Sequence, residues 1–89
     1  MTTQEPPRLE YPCPYPIKVV GEHAQDFVAV VLAIVQRHDA AVRAEQVRRR
    51  ASAGDRYLSL TITITATGPD QIQALFADLK ASGRVLVVL

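Results

Sequence analysis

The stretch that decides the fold is Tyr57-Leu58-Ser59-Leu60-Thr61-Ile62-Thr63-Ile64-Thr65-Ala66. Leu58, Leu60, Ile62, Ile64 and Ala66 alternate without a break with Tyr57, Ser59, Thr61, Thr63 and Thr65. Successive side chains leave a strand on opposite faces, so this period of two predicts a strand with one buried and one open face. An aliphatic face needs a cover, and the flanking sequence supplies it. Downstream, Gly68-Pro69-Asp70-Gln71 opens a helix, with proline suited to the first helical position and an acid in the first turn. Ile72, Leu75, Phe76 and Leu79 then follow helical spacing, and Gly83 supplies the stop. Residues 84–89, RVLVVL, read as the last strand.

Upstream, Ala51-Ser52-Ala53-Gly54-Asp55 is a turn-rich connection to a weaker, charged strand over residues 42–50. Residues 26–37 predict the other helix, with Phe27, Val31, Ile34, Val35 and His38 at helical spacing. The β-branched run there also suits a strand; its length and interspersed alanines favour the helix. Val28, Val30 and Leu32 widen its apolar surface beyond one stripe. Ile17-Lys18-Val19-Val20-Gly21 predicts the first strand, led in by prolines at 12, 14 and 16 that favour extended backbone. Residues 1–10 are polar and proline-bearing and read as a flexible tail, leaving 11–89 as one domain. The element order is βαββαβ. Two interleaved split β-α-β units satisfy it with short connections, giving an α+β ferredoxin-like sandwich. Its four-stranded antiparallel sheet carries both helices on one face.

Composition narrows the function classes. The chain has 89 residues and a formal charge of +1, whereas a general nucleic-acid binder is usually strongly basic. Ser59, Thr61 and Thr63 also stand where RNA-reading sheets place stacking aromatics. The longest apolar run, residues 27–35, is too short to span a bilayer, and no signal-peptide layout opens the chain. A single cysteine, Cys13, suits a reducing cytoplasm and forms no internal disulfide. It lacks an obvious neighbouring base and reads as no catalytic thiol. His23 and His38 flank the first helix, roughly 20 Å apart, beyond shared metal coordination. No phosphate loop, carboxylate pair or metal-spaced cluster appears, so the sequence predicts no enzyme, no catalytic residue and no cofactor.

Two surfaces invite contact. The open sheet face displays Lys18, Ser59, Thr61, Thr63 and Thr65, with Tyr57 at one end. The second strand and its turn gather Arg43, Arg48, Arg49, Arg50 and Arg56 against Glu45 and Asp55. Charge on an edge strand guards against aggregation, and the Arg48-Arg49-Arg50 triplet also suits an anion or an acidic partner. The last strand carries apolar residues of both parities, so some of them call for cover by the tail or another chain.

Several segments together resemble the YbeD-like family of small bacterial proteins. These are Tyr11-Pro12 through Tyr15 into Ile17-Lys18-Val19-Val20-Gly21, then Ile34-Val35-Gln36-Arg37-His38, and Tyr57-Leu58-Ser59-Leu60-Thr61-Ile62-Thr63. Ala66-Thr67 with Gln71-Ile72, and Val85-Leu86-Val87-Val88-Leu89, extend the likeness over residues 9–89. The resemblance implies a ferredoxin-like fold similar to the ACT regulatory domains of amino-acid metabolism, and a regulatory or lipoate-related role. ACT domains often hold an amino acid in the loop after the first strand. Here that loop runs Gly21-Glu22-His23-Ala24-Gln25-Asp26, without the acid-x-x-glycine pattern common there. The leading expectation is a cytoplasmic, non-catalytic regulatory or interaction domain that self-associates or binds a protein partner. The alternatives are a sensor of an amino acid or related acid near Lys18, Gly21, Glu22 and His23, and an accessory protein of lipoate metabolism.

Overall fold

The structure, a computed structural model, describes residues 10–89. Six main elements run in the order β1 (Cys13–Glu22), α1 (Phe27–Gln36), β2 (Arg48–Ala51), β3 (Tyr57–Ala66), α2 (Pro69–Ala81) and β4 (Val85–Val88). The strands form one antiparallel sheet in the order β2-β3-β1-β4. The ferredoxin-like arrangement predicted from the sequence is therefore present, with β1 and β3 central. Of the expected tail over residues 1–10, only Glu10 lies within the described residues, and it is exposed.

β3 alternates as its sequence demands. Leu58, Leu60, Ile62, Ile64 and Ala66 are buried, while Thr61, Thr63 and Thr65 are exposed. Leu58, Leu60, Ile62 and Ile64 meet Ile17 and Val19 of β1, Phe27, Val31, Ile34 and Val35 of α1, and Leu75 and Leu79 of α2 in one core. Phe76 and the widened surface of α1, Val28, Val30 and Leu32, pack around it half-buried.

β1 is longer than the Ile17–Gly21 strand expected, running from Cys13 through Pro14 and Pro16. Lys18 exchanges both backbone hydrogen bonds with Leu89, at 3.0 and 2.9 Å. Even-numbered β1 residues therefore turn their backbone groups toward the β4 side. Pro14 and Pro16 share that parity but lie beyond the reach of β4, which pairs only from Val19 onward apart from the Lys18–Leu89 contact. Their missing N–H groups face an empty edge, where proline is tolerated within a strand.

The strand expected over residues 42–50 is shorter. β2 begins only at Arg48, and Ala44–Gln46 forms a 3-10 turn. Val42 is buried in the core instead of lying on a strand, and Gln36 Nε2 donates to its carbonyl at 2.9 Å. One apolar anchor and a side-chain hydrogen bond hold this connection without a ladder.

Gly21 is where the sheet meets α1. A Cβ there would collide with the Phe27 ring and the Arg84 carbonyl, so only glycine lets the helix and β4 close over this point. Asp26, just before α1, makes no side-chain cap to that helix. Its carboxylate accepts from both Arg84 guanidinium nitrogens, at 2.5 and 3.2 Å. At the far end, Gly83 takes a φ of +73° and ends α2 as its sequence position predicts.

Candidate functional site

The face of the sheet away from the helices is built by register. Arg48 opposes Thr61, which opposes Lys18; Arg50 opposes Ser59, which opposes Val20. Neighbouring strands lie about 4.8 Å apart, so each row sets three or four side chains abreast. The first row places cations on both sides of a threonine hydroxyl. The second ends on Val87, the β4 partner of Val20. Thr63 and Thr65 continue the face beside Pro16 and Pro14, and Tyr57 closes it beside Glu22. The Arg56 guanidinium lies over the Tyr57 ring, 5.4 Å from its centre.

The same alternation divides the arginine triplet. Arg48 and Arg50 stand on the open face, whereas Arg49 opposes buried Leu60 and belongs to the helix side. Two of the three arginines therefore join Lys18, Ser59, Thr61 and Thr63 in one surface. Among the described residues, no carboxylate oxygen lies within 4.0 Å of the cationic nitrogens of Lys18, Arg48 or Arg50. Two shallow depressions mark this face. One, of about 220 Å³, lies among Lys18, Val20, Arg50, Tyr57 and Ser59. The other, of about 650 Å³, lies over Thr61, Thr63 and Thr65 between Cys13, Glu45 and Arg48.

The residues expected around the loop after β1 do not all share one surface. Gly21 is buried against Phe27, on the helix side. Lys18 and Glu22 point to the open face, separated by Val20. His23 is tied to the β2–β3 turn: its N–H donates to the Arg56 carbonyl at 2.9 Å, and Nδ1 sits 3.1 Å from the Asp55 carbonyl.

The other polar residues link elements together. His38 Nε2 donates to Asp78 Oδ2 at 2.6 Å, joining the end of α1 to α2. Asp39 Oδ2 accepts from the Thr65 N–H at 2.8 Å, while Gln71 Nε2 donates to the carbonyls of His38 and Thr65. Sequence reasoning missed the links Asp39–Thr65 and Gln71–His38, which span 26 and 33 positions; the local bonds of the same side chains, to Ala41 and Thr67, do not announce them. Arg84 holds the Asp26 carboxyl below its ordinary value, chiefly through their hydrogen bond, and Arg84 itself is raised by the same contact. Among the described residues, no group of three or more His, Cys, Asp or Glu is placed to hold a metal ion. No described helix is long and apolar enough to cross a membrane.

Comparison with known proteins places these features in context. A UPF0250 protein of Azotobacter vinelandii is 43% identical over 89 residues, spanning 99% of this chain and 97% of its own. The ACT domain from GTP pyrophosphokinase of Chlorobium tepidum superposes with a TM-score of 0.66 at 19% identity, over 83% of this chain and 91% of that domain. Protein HP0495 of H. pylori superposes with a TM-score of 0.69 at 16% identity, over 99% of this chain and 98% of that one. The two structures share the ACT-like fold. The family described as Protein of unknown function (DUF493) matches residues 6–89. The chain thus belongs to the DUF493 family, the bacterial UPF0250 proteins, and the YbeD-like resemblance read from its residues is this membership.

Proposed function

We propose that this protein is a non-catalytic regulatory or protein-interaction domain that meets an acidic partner with the open face of its sheet. The observation that carries the reading is the row Arg48–Thr61–Lys18, beside Arg50–Ser59, on a face that the chain's own helices leave uncovered. Guanidinium forks and hydroxyl donors together suit carboxylates, and a broad, shallow surface suits a polypeptide better than a small molecule. A cytoplasmic setting belongs to the same reading, supported by a sequence with one cysteine.

The test is affinity capture from native lysate at low salt, followed by titration of the captured partner. Arg48→Ser combined with Arg50→Ser should weaken salt-sensitive binding by about tenfold or more. Arg49→Ser, on the other side of the sheet, should leave it nearly unchanged. Equal losses from both variants would reduce the effect to net charge and remove the open face as the contact.

The 220 Å³ depression favours a second reading, a sensor of an amino acid or related acid held by Lys18, Arg50 and Ser59. Thermal-shift screening with amino acids and lipoyl compounds distinguishes the two. A stabilising compound whose effect disappears in Lys18→Ala would support the sensor, and its lipoyl arm tests the accessory role in lipoate metabolism.

A further inference from the structure

The sheet has four stretches of open edge, and three of them are blunted. The outer side of β2 carries Arg48, Arg49 and Arg50. Beyond β2, the outward N–H and C=O of Thr65 are taken by Asp39 and Gln71. Beyond the end of β4, the outer side of β1 carries Pro14 and Pro16, which have no N–H to offer. Charges, side-chain caps and prolines are the devices by which sheets avoid pairing with other strands.

The fourth stretch has none of these three; a bulge at Leu86 shifts its register against β1, and Val88 lies in its regular part. β4 and the residue after it read Val85-Leu86-Val87-Val88-Leu89, without a charged side chain or a proline. Leu89 turns both backbone groups to Lys18, so the preceding Val88 turns its own N–H and C=O outward. Leu86, Val87 and Leu89 are 60%, 45% and 69% exposed, the most exposed large hydrophobic side chains among the described residues. Among the described residues, bare backbone and apolar side chains therefore occur together at one edge only.

We propose that β4 pairs, antiparallel across a two-fold axis, with β4 of a second copy of this chain, joining two four-stranded sheets into one. Charge selects this occupant. In a two-fold contact each residue faces its own copy or a near neighbour, so like charges at the axis repel. The arginine edge of β2 is ruled out on that ground, whereas the side chains of residues 85–89 are all uncharged. The segment outside the described residues, Met1-Thr2-Thr3-Gln4-Glu5-Pro6-Pro7-Arg8-Leu9, is a poor rival. Its proline pair interrupts donation, and its polar residues do not match an apolar edge. This contact is separate from the open-face reading, because it uses neither Arg48 nor Arg50.

Sedimentation of the full chain across a dilution series, with amide hydrogen exchange at Val88, tests it. The wild type should sediment at twice the mass of one chain at the upper concentrations, with a protected Val88 amide. Leu86→Lys and, separately, Val87→Lys should each sediment as single chains with a freely exchanging Val88, while circular dichroism shows the fold retained. Both positions are substantially exposed, so lysine is tolerated in the lone chain. A wild type of single-chain mass throughout overturns the proposal, whether its Val88 amide is free or protected. So does a two-chain species that survives both lysines, or one in which Val88 exchanges freely.

Discussion

Gly21 and Arg84 fix one corner of the molecule between them. The Arg84 carbonyl and the Phe27 ring fill the space a side chain on Gly21 would need, and the Arg84 guanidinium holds Asp26 at the entrance to α1. Gly21→Ala should lower stability by about 1–3 kcal/mol, the usual range for forcing a methyl into a closed space. Urea denaturation measures it, and an unchanged midpoint would mean that ring and carbonyl separate freely. The Asp26–Arg84 pair has a pH signature. Arg84 lowers the folded-state value of Asp26 below its ordinary 3.8, so the unfolded chain binds that proton more tightly. The stabilisation is present above the unfolded value and is lost as pH falls through the folded one. Asp26→Asn should therefore melt below the wild type near neutral pH, and the gap should close on titration well below pH 3.8. The pair is open to solvent, so added salt should also narrow the gap. A gap constant through strong acid would assign the loss to something other than the charge.

At the scale of the element, β3 carries the most. Its even-numbered residues form the floor under both helices, and its odd-numbered residues, from Tyr57 to Thr65, form the spine of the open face. Ile62 is fully buried, and Ile62→Ala should cost about 2–5 kcal/mol by lost transfer energy and a residual cavity. That is a large share of the stability of so small a domain, read from the same urea midpoint. A neutral result would contradict the packing of this face. β3 was legible because a period of two over ten residues has one structural meaning. β2 was not, because residues 42–47 owe their path to tertiary contacts and a side-chain hydrogen bond that hydrophobic periodicity does not mark. Val42 enters the core, Gln36 caps its carbonyl, and only Arg48–Ala51 finds a partner in β3. The prolines of β1 predict an extended approach and lie within the strand itself, since the β4 edge ends before it could require their hydrogen bonds.

Across the whole molecule, the charged open face and the apolar β4 edge adjoin at Val87, the β4 partner of Val20. The open face gathers Lys18, Arg48, Arg50 and the hydroxyl ladder, while the β4 edge gathers Leu86, Val87 and Leu89. A partner on the first and a second copy on the second can bind together. The Arg48→Ser, Arg50→Ser variant that tests the face should accordingly sediment like the wild type. The Leu86→Lys variant should keep the salt-sensitive partner. An effect of either variant on both measurements would show that face and edge form one interface.

The alternation in residues 57–66, the helical spacing of residues 72–79 and the element order determined the βαββαβ fold, because hydrophobic periodicity states locally which side must be buried. Local pattern also determined that the last strand is apolar on both faces. Tertiary structure alone decided which arginines of the triplet share a surface with Lys18, why position 21 excludes a side chain, and which of four sheet edges is left bare. Each depends on register between strands or on contact between residues far apart in the chain, and neither is written in the spacing of any one segment.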